Sequence, residues 1–131
     1  MAKMVHSMVR VMDEAKSVAF YTKAFGLKIA DRLDFPDFTL IYLSNPETTF
    51  ELELTVNKGR TEPYTAGNAY GHLAIVVDNV DAEHARLAAA GYAPKDIKNM
   101  SHDGKPLAKF FFIDDPDGYK IEVVQKGGRW K

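Results

Sequence analysis

The sequence predicts an α+β fold in which one strand–helix–strand–strand–strand unit is used twice in tandem. Three observations predict it. Stretches that alternate apolar and polar residues outnumber those with helical spacing. The order of elements in residues 4–57 begins again at residue 70, after a polar stretch carrying Gly59, Pro63 and Gly67. Finally, a histidine near the start of each unit is matched by a glutamate in its last strand. At 131 residues the chain suits a single domain made of module 4–57, linker 58–69 and module 70–126.

Met4 to Val11 alternates and reads as a strand, with His6, Met8 and Arg10 on one face. Asp13 is placed to cap a helix in which Val18, Tyr21 and Phe25 recur at helical spacing, and Gly26 stops it. Leu27–Arg32 and Phe38–Leu43 read as strands, and Ser44-Asn45-Pro46-Glu47 as the turn before Phe50–Asn57. In that last strand Phe50, Leu52, Leu54 and Val56 share one face; Glu51, Glu53, Thr55 and Asn57 share the other. The second module follows suit. Gly71–Val77 is a strand, Asp81 caps an Ala-rich helix ending at Gly91, Tyr92–Ile97 is a weaker strand and Leu107–Ile113 a strong one. The turn Asp115-Pro116-Asp117-Gly118 then leads into Tyr119–Val124, which carries Glu122.

Composition removes several classes of function. A formal net charge of −1 with mixed signs leaves no footprint for nucleic acid or an anionic membrane. No apolar run approaches the ~20 residues that span a bilayer. The first residues lack the apolar core of a secretory signal, so a cytoplasmic protein is expected. With no cysteine there is no disulfide, thiolate site or Cys nucleophile.

A carboxylate held mid-strand among apolar neighbours costs free energy unless something pairs with it. Forty-seven positions separate His6 from Glu53 and fifty separate His72 from Glu122, so the four occupy matching places in the two modules. If the modules pair about a pseudo-twofold axis, all four converge. Two imidazoles and two carboxylates suit a divalent first-row metal with water in its open positions. Such an ion can bind neighbouring oxygens of a substrate while a carboxylate removes a proton from the adjacent carbon. Each residue also has a structural reading. Glu53 could pair with Lys58 or Arg10, the Asp-Pro-Asp-Gly turn is ordinary turn chemistry, Tyr21 and Phe25 fit a core, and His84 and His102 fit a solvated helix face and a loop.

Five segments carry a family resemblance: His6-Ser7-Met8-Val9-Arg10-Val11, Phe20-Tyr21-Thr22-Lys23, Glu53-Leu54-Thr55-Val56-Asn57, Ala69-Tyr70-Gly71-His72 and Asp115-Pro116-Asp117-Gly118-Tyr119-Lys120-Ile121-Glu122. In that order the chain resembles glyoxalase I (lactoylglutathione lyase) of the vicinal-oxygen-chelate superfamily, in its short bacterial form. The resemblance implies paired βαβββ modules whose curved mixed sheets form a metal-binding cleft. It implies a homodimer with sites at the interface, His6 and Glu53 coming from one chain and His72 and Glu122 from the other. Nickel or cobalt is the ion that the short bacterial type favours, and zinc is compatible. The implied reaction isomerises the methylglyoxal–glutathione hemithioacetal to S-lactoylglutathione through a metal-stabilised enediolate. In it Glu122 is the base, and Glu53 is a ligand that can share the proton transfer. Arg10 and Asn57 carry over as glutathione contacts, and Lys105 matches a Gly-Lys loop near the peptide's carboxylate end. Some larger members have an arginine four residues before the second histidine; Asn68 stands there. Other occupants of the fold are acyl-CoA epimerases, which tend to place Gln where Glu53 stands, and drug-binding proteins, which need an apolar cleft and no ligand set.

Overall fold

The structure, a computed structural model, describes residues 1–131. The chain forms two compact units, Met1–Thr65 and Ala66–Lys131. Each holds one four-stranded mixed sheet and one helix, the α+β arrangement of two βαβββ modules.

In the first unit, β1 (His6–Arg10) runs parallel to β4 (Glu51–Asn57), which pairs antiparallel with β3 (Phe38–Ser44), itself antiparallel to β2 (Lys28–Asp34). The parallel β1–β4 pair needs a crossover, and α1 (Glu14–Phe25) begins it. The helix starts where Asp13 accepts from the Lys16 N–H at 3.0 Å. It ends at Gly26, whose φ of 66° lets its N–H reach the Thr22 carbonyl. Ser17, Phe20, Tyr21 and Ala24 form its buried stripe. Tyr21 is 1% exposed, so truncation to Ala should cost about 3–5 kcal/mol, on the scale of other large aromatic truncations. β4 is covered on both faces. Leu52 and Leu54 are buried on one, Glu53 and Thr55 on the other.

The second unit repeats the plan. β5 (Leu73–Val77) runs parallel to β8 (Lys120–Gln125), which pairs antiparallel with β7 (Lys105–Asp114), and β7 with β6 (Lys98–His102). Its helix, α2 (Val80–Ala89), buries Val80 and Leu87. Asn79, not Asp81, is its N-cap: Asn79 has extended backbone and accepts from the Ala82 N–H at 2.9 Å. Asp81 stands in the first turn, where a carboxylate suits the helix dipole, and pairs with Lys109 at 2.5 Å.

The strand expected at Tyr92–Ile97 is absent. Pro94 has no N–H to donate to a ladder and restricts the residue before it. The segment is tied down by single bonds instead of a ladder: the Tyr92 N–H to the Leu87 carbonyl at 3.1 Å, the Lys95 N–H to the Phe112 carbonyl at 2.8 Å, and the His84 ring to the Lys95 carbonyl at 2.9 Å. The strand forms later, at Lys98–His102, in a polar exposed edge that alternation does not reveal. It closes on β7 through Asp103 and Gly104, with φ of 51° and 75°, the two-residue turn that matches strand twist. His102 and Lys105 therefore face each other across a hairpin end instead of lying in a loop.

Candidate functional site

The first His–Glu pair is set by strand register. Met8 pairs with Glu53 across β1 and β4, and His6, two residues earlier, shares its face. The His6 Nε2 and a Glu53 carboxylate oxygen are 2.9 Å apart. On the other side of β4, Tyr42 of β3 stands directly opposite Glu53. Its ring meets the His6 ring edge-on, with centroids 5.8 Å apart. The Tyr42 hydroxyl is pushed above its ordinary value by burial first, then by the charge of Glu53 and a hydrogen bond to that carboxylate.

A second His–Glu pair, in the second unit, has the same construction. Ala74 pairs with Glu122 across β5 and β8, and His72 lies two residues before Ala74, just ahead of the strand instead of inside it. The His72 Nε2 and a Glu122 carboxylate oxygen are also 2.9 Å apart. Phe112 of β7 stands opposite Glu122 where Tyr42 stands opposite Glu53, and its ring meets His72 edge-on at 5.4 Å. One difference matters: Tyr42 can donate a hydrogen bond to its carboxylate and Phe112 cannot.

The donor chemistry of each pair fits a divalent ion. Two ligand atoms about 2.1 Å from a metal and at right angles to each other lie about 3 Å apart, close to the 2.9 Å seen in both pairs. Glu53 is 7% exposed, and no lysine neutralises it: Lys58 pairs instead with Asp34 at 2.8 Å. No third His, Asp or Glu joins either pair within its own unit. Beside Glu53 on the same face of β4, the buried Thr55 Oγ1 has no hydrogen-bond partner. Polar capacity is thus stored on this face of the first unit.

Arg10 ends β1 on the His6 face, paired with Thr55, and is exposed. Asn57 ends β4 on the Glu53 face, and its side-chain amide donates to the Tyr64 hydroxyl at 3.0 Å. Both therefore share the face of the first pair, four residues further along their strands. Lys105 is different. It opens β7, seven residues before Phe112, or about 23 Å along the strand at ~3.3 Å per residue. Within its unit it is remote from His72 and Glu122. His84, expected on a solvated face, instead bonds the Lys95 carbonyl at 2.9 Å and packs edge-on against Phe111. Sequence reasoning missed Tyr42, Phe112 and Thr55. Aligning the third strands of the two modules would have flagged the first two.

A sequence model of the Glyoxalase/Bleomycin resistance protein/Dioxygenase superfamily matches residues 3–123. The chain is 39% identical over 129 residues to a lactoylglutathione lyase of Neisseria meningitidis serogroup A, covering 95% of this chain and 91% of that protein. It is 36% identical over 131 residues to a lactoylglutathione lyase of Salmonella typhimurium, covering 94% and 92%. Among solved structures it resembles the trypanothione-dependent glyoxalase I of Leishmania major, with a TM-score of 0.76 and 35% identity over 95% of this chain and 87% of that one. It also resembles a glyoxalase I mutant from Zea mays, with a TM-score of 0.82 and 32% identity over 96% of this chain and 45% of that one.

Proposed function

Because the chain belongs to the glyoxalase/bleomycin resistance protein/dioxygenase superfamily, we infer that it is a metal-dependent lactoylglutathione lyase, converting the methylglyoxal–glutathione hemithioacetal to S-lactoylglutathione. The observation that supports this most directly is the duplicated His–Glu pair, 2.9 Å apart in each unit and built on the same register. His6, Glu53, His72 and Glu122 would hold one divalent ion, with nickel or cobalt preferred and zinc compatible. When bound, that ion supplies a Lewis acid for the two vicinal oxygens of the substrate and makes the neighbouring C–H more acidic.

The chain's own residues do the rest. Glu122 takes the proton from the carbon that bears sulfur and returns it to the next carbon, so the product is an isomer with no net redox change. Opposite Phe112 its carboxylate has no fixed donor across the strand, which leaves it free to move between ligand and base. Glu53, held by Tyr42, stays a ligand. Arg10 and Asn57 grip the peptide part of the thiol, Arg10 through paired hydrogen bonds to a carboxylate. The working protein is a homodimer in which His6 and Glu53 of one protomer meet His72 and Glu122 of the partner subunit, in the cytoplasm. No helix of the chain is long and apolar enough to cross a membrane.

The test is direct. Metal-free protein is loaded separately with Ni2+, Co2+ and Zn2+, and thioester absorbance is followed with methylglyoxal and glutathione. Turnover that depends on metal is expected. Metal uptake with no thioester formed would overturn the assignment.

A further inference from the structure

Residues 58–65 are polar and lie outside every helix and strand, yet they fold back on the end of β4. The reversal is local chemistry. Gly59, with a φ of 83°, takes the left-handed corner of a turn closed by the Arg60 N–H on the Asn57 carbonyl at 3.4 Å. Beyond the turn the Arg60 Nε donates to the Glu62 carbonyl at 2.9 Å and its Nη2 to the Pro63 carbonyl at 3.3 Å. The guanidinium also lies over the Tyr64 ring, its central carbon 4.0 Å from the ring centroid. The Tyr64 hydroxyl in turn accepts from the Asn57 side-chain amide at 3.0 Å.

Arg60 directs neither of these donors at the Glu62 carboxylate. Both go to backbone carbonyls, and its face goes to the aromatic ring. A guanidinium committed in this way fixes the path of residues 60–64, and Tyr64 carries the restraint to Asn57. The consequence is directional. An asparagine side chain ends in a carbonyl oxygen on one side and an NH2 group on the other, and rotation about its last bond is soft. With its nitrogen on Tyr64, the Asn57 amide turns its oxygen away from that hydroxyl, and no donor of the chain meets it there.

We propose that Tyr64 and Arg60 are positioning residues for thiol binding: they hold the Asn57 amide with its nitrogen engaged and its oxygen open, so that an N–H of the substrate's peptide part meets an acceptor already in place. This role rests on the lyase reading above, in which Asn57 is a contact to the thiol. Tyr64 acts through Asn57, and Arg60 acts through Tyr64. Side-chain rotation that is frozen beforehand is freedom that binding does not have to remove. The effect therefore belongs in affinity for the thiol and not in the proton transfer.

Turnover of the methylglyoxal–glutathione adduct and calorimetric binding of S-methylglutathione are measured for the parent, Tyr64→Phe, Arg60→Leu, Asn57→Ala and the Tyr64→Phe/Asn57→Ala double variant. Tyr64→Phe keeps a ring beneath Arg60 and removes only the hydroxyl. It should raise KM about three- to tenfold, the scale of one hydrogen bond, and leave kcat within about twofold of the parent's. Arg60→Leu should show the same split. In the Asn57→Ala background Tyr64→Phe should change neither KM nor binding, because no amide is left to orient. An unchanged KM in Tyr64→Phe, even with a lower unfolding midpoint, overturns the proposal. So does a fall in kcat at constant KM, or an equal loss with and without Asn57, which would make Tyr64 a direct contact. If the parent forms no thioester but binds S-methylglutathione with the Tyr64–Asn57 coupling intact, the lyase reading fails while the positioning role stands. A parent that turns over the adduct without that coupling sinks the positioning role and leaves the lyase reading in place.

Discussion

Tyr42 stands directly opposite Glu53 on the neighbouring antiparallel strand and packs edge-on against His6, its ring centroid 5.8 Å from that of the imidazole. One side chain thus touches both members of the first pair and hydrogen-bonds the carboxylate. Groups that orient a ligand in this way typically contribute about 10-fold or more to metal affinity. Tyr42→Phe should fold normally, because Phe112 fills the matching place in the second unit. It should weaken metal binding about tenfold in a chelator competition. An affinity equal to the parent's would show that Tyr42 only fills space.

The two glutamates should respond differently to the same substitution. Phe112, opposite Glu122, offers its carboxylate no hydrogen bond, and loss of the proposed general base would cost about 10²–10⁴-fold in rate. Glu122→Gln loaded with metal should therefore lose most of its kcat. Glu53→Gln should show its main effect in metal content. Near-normal turnover of metal-loaded Glu122→Gln would assign the proton transfer elsewhere.

The contrast between these glutamates explains what was legible in the sequence. Alternation placed His6, Glu53 and Glu122 on definite strand faces, because a period of two leaves little freedom once one face is apolar. The helix ends at Asp13 and Gly26 were readable for a similar reason, since capping is local chemistry. Neighbours across strands were not legible. Tyr42 meets Glu53 only through the register of β3 on β4, and Lys95 reaches the edge of β7 only because Pro94 breaks the expected strand. The α2 cap was misplaced by two residues because Asn79 and Asp81 are both good capping residues, and backbone conformation chose between them.

Acid stability should depend on the bond between α1 and β2. Arg32 donates to both carboxylate oxygens of Glu14, at 2.6 and 3.0 Å, and that hydrogen bonding is the main reason the Glu14 carboxyl lies below its ordinary 4.5. A carboxylate with a depressed folded value binds its proton more readily when unfolded. Its contribution is therefore present above pH 4.5 and is lost as pH falls through the lower folded value. Urea denaturation at pH 7 and near pH 3 should show the parent losing more stability than Arg32→Met. The pair is partly solvated, so the difference will be small. Parallel losses in both proteins would remove this pair from the acid response.

Asp115 gives the sharpest test of how the His72–Glu122 pair is held. Its Oδ1 accepts from the N–H groups of Asp117 and Tyr119, both at 2.9 Å, and the residue is 5% exposed. The turn is closed by the Gly118 N–H to the Asp115 carbonyl, with Gly118 at a φ of 87°. Tyr119 leads directly into β8, so this turn sets the register that puts Glu122 opposite Phe112 and in reach of His72. Removing the acceptor strands two donors, and each one left unpaired in a buried setting costs about 1–3 kcal/mol. Asp115→Ala should lose roughly 2–6 kcal/mol by urea denaturation, on that same scale, and should weaken metal binding through the position of Glu122. Asp115→Asn keeps an acceptor oxygen and should recover most of both losses. If Asp115→Ala lost stability but kept full metal affinity, the position of Glu122 would be held by the β5–β8 and β7–β8 ladders and the turn would serve only the fold.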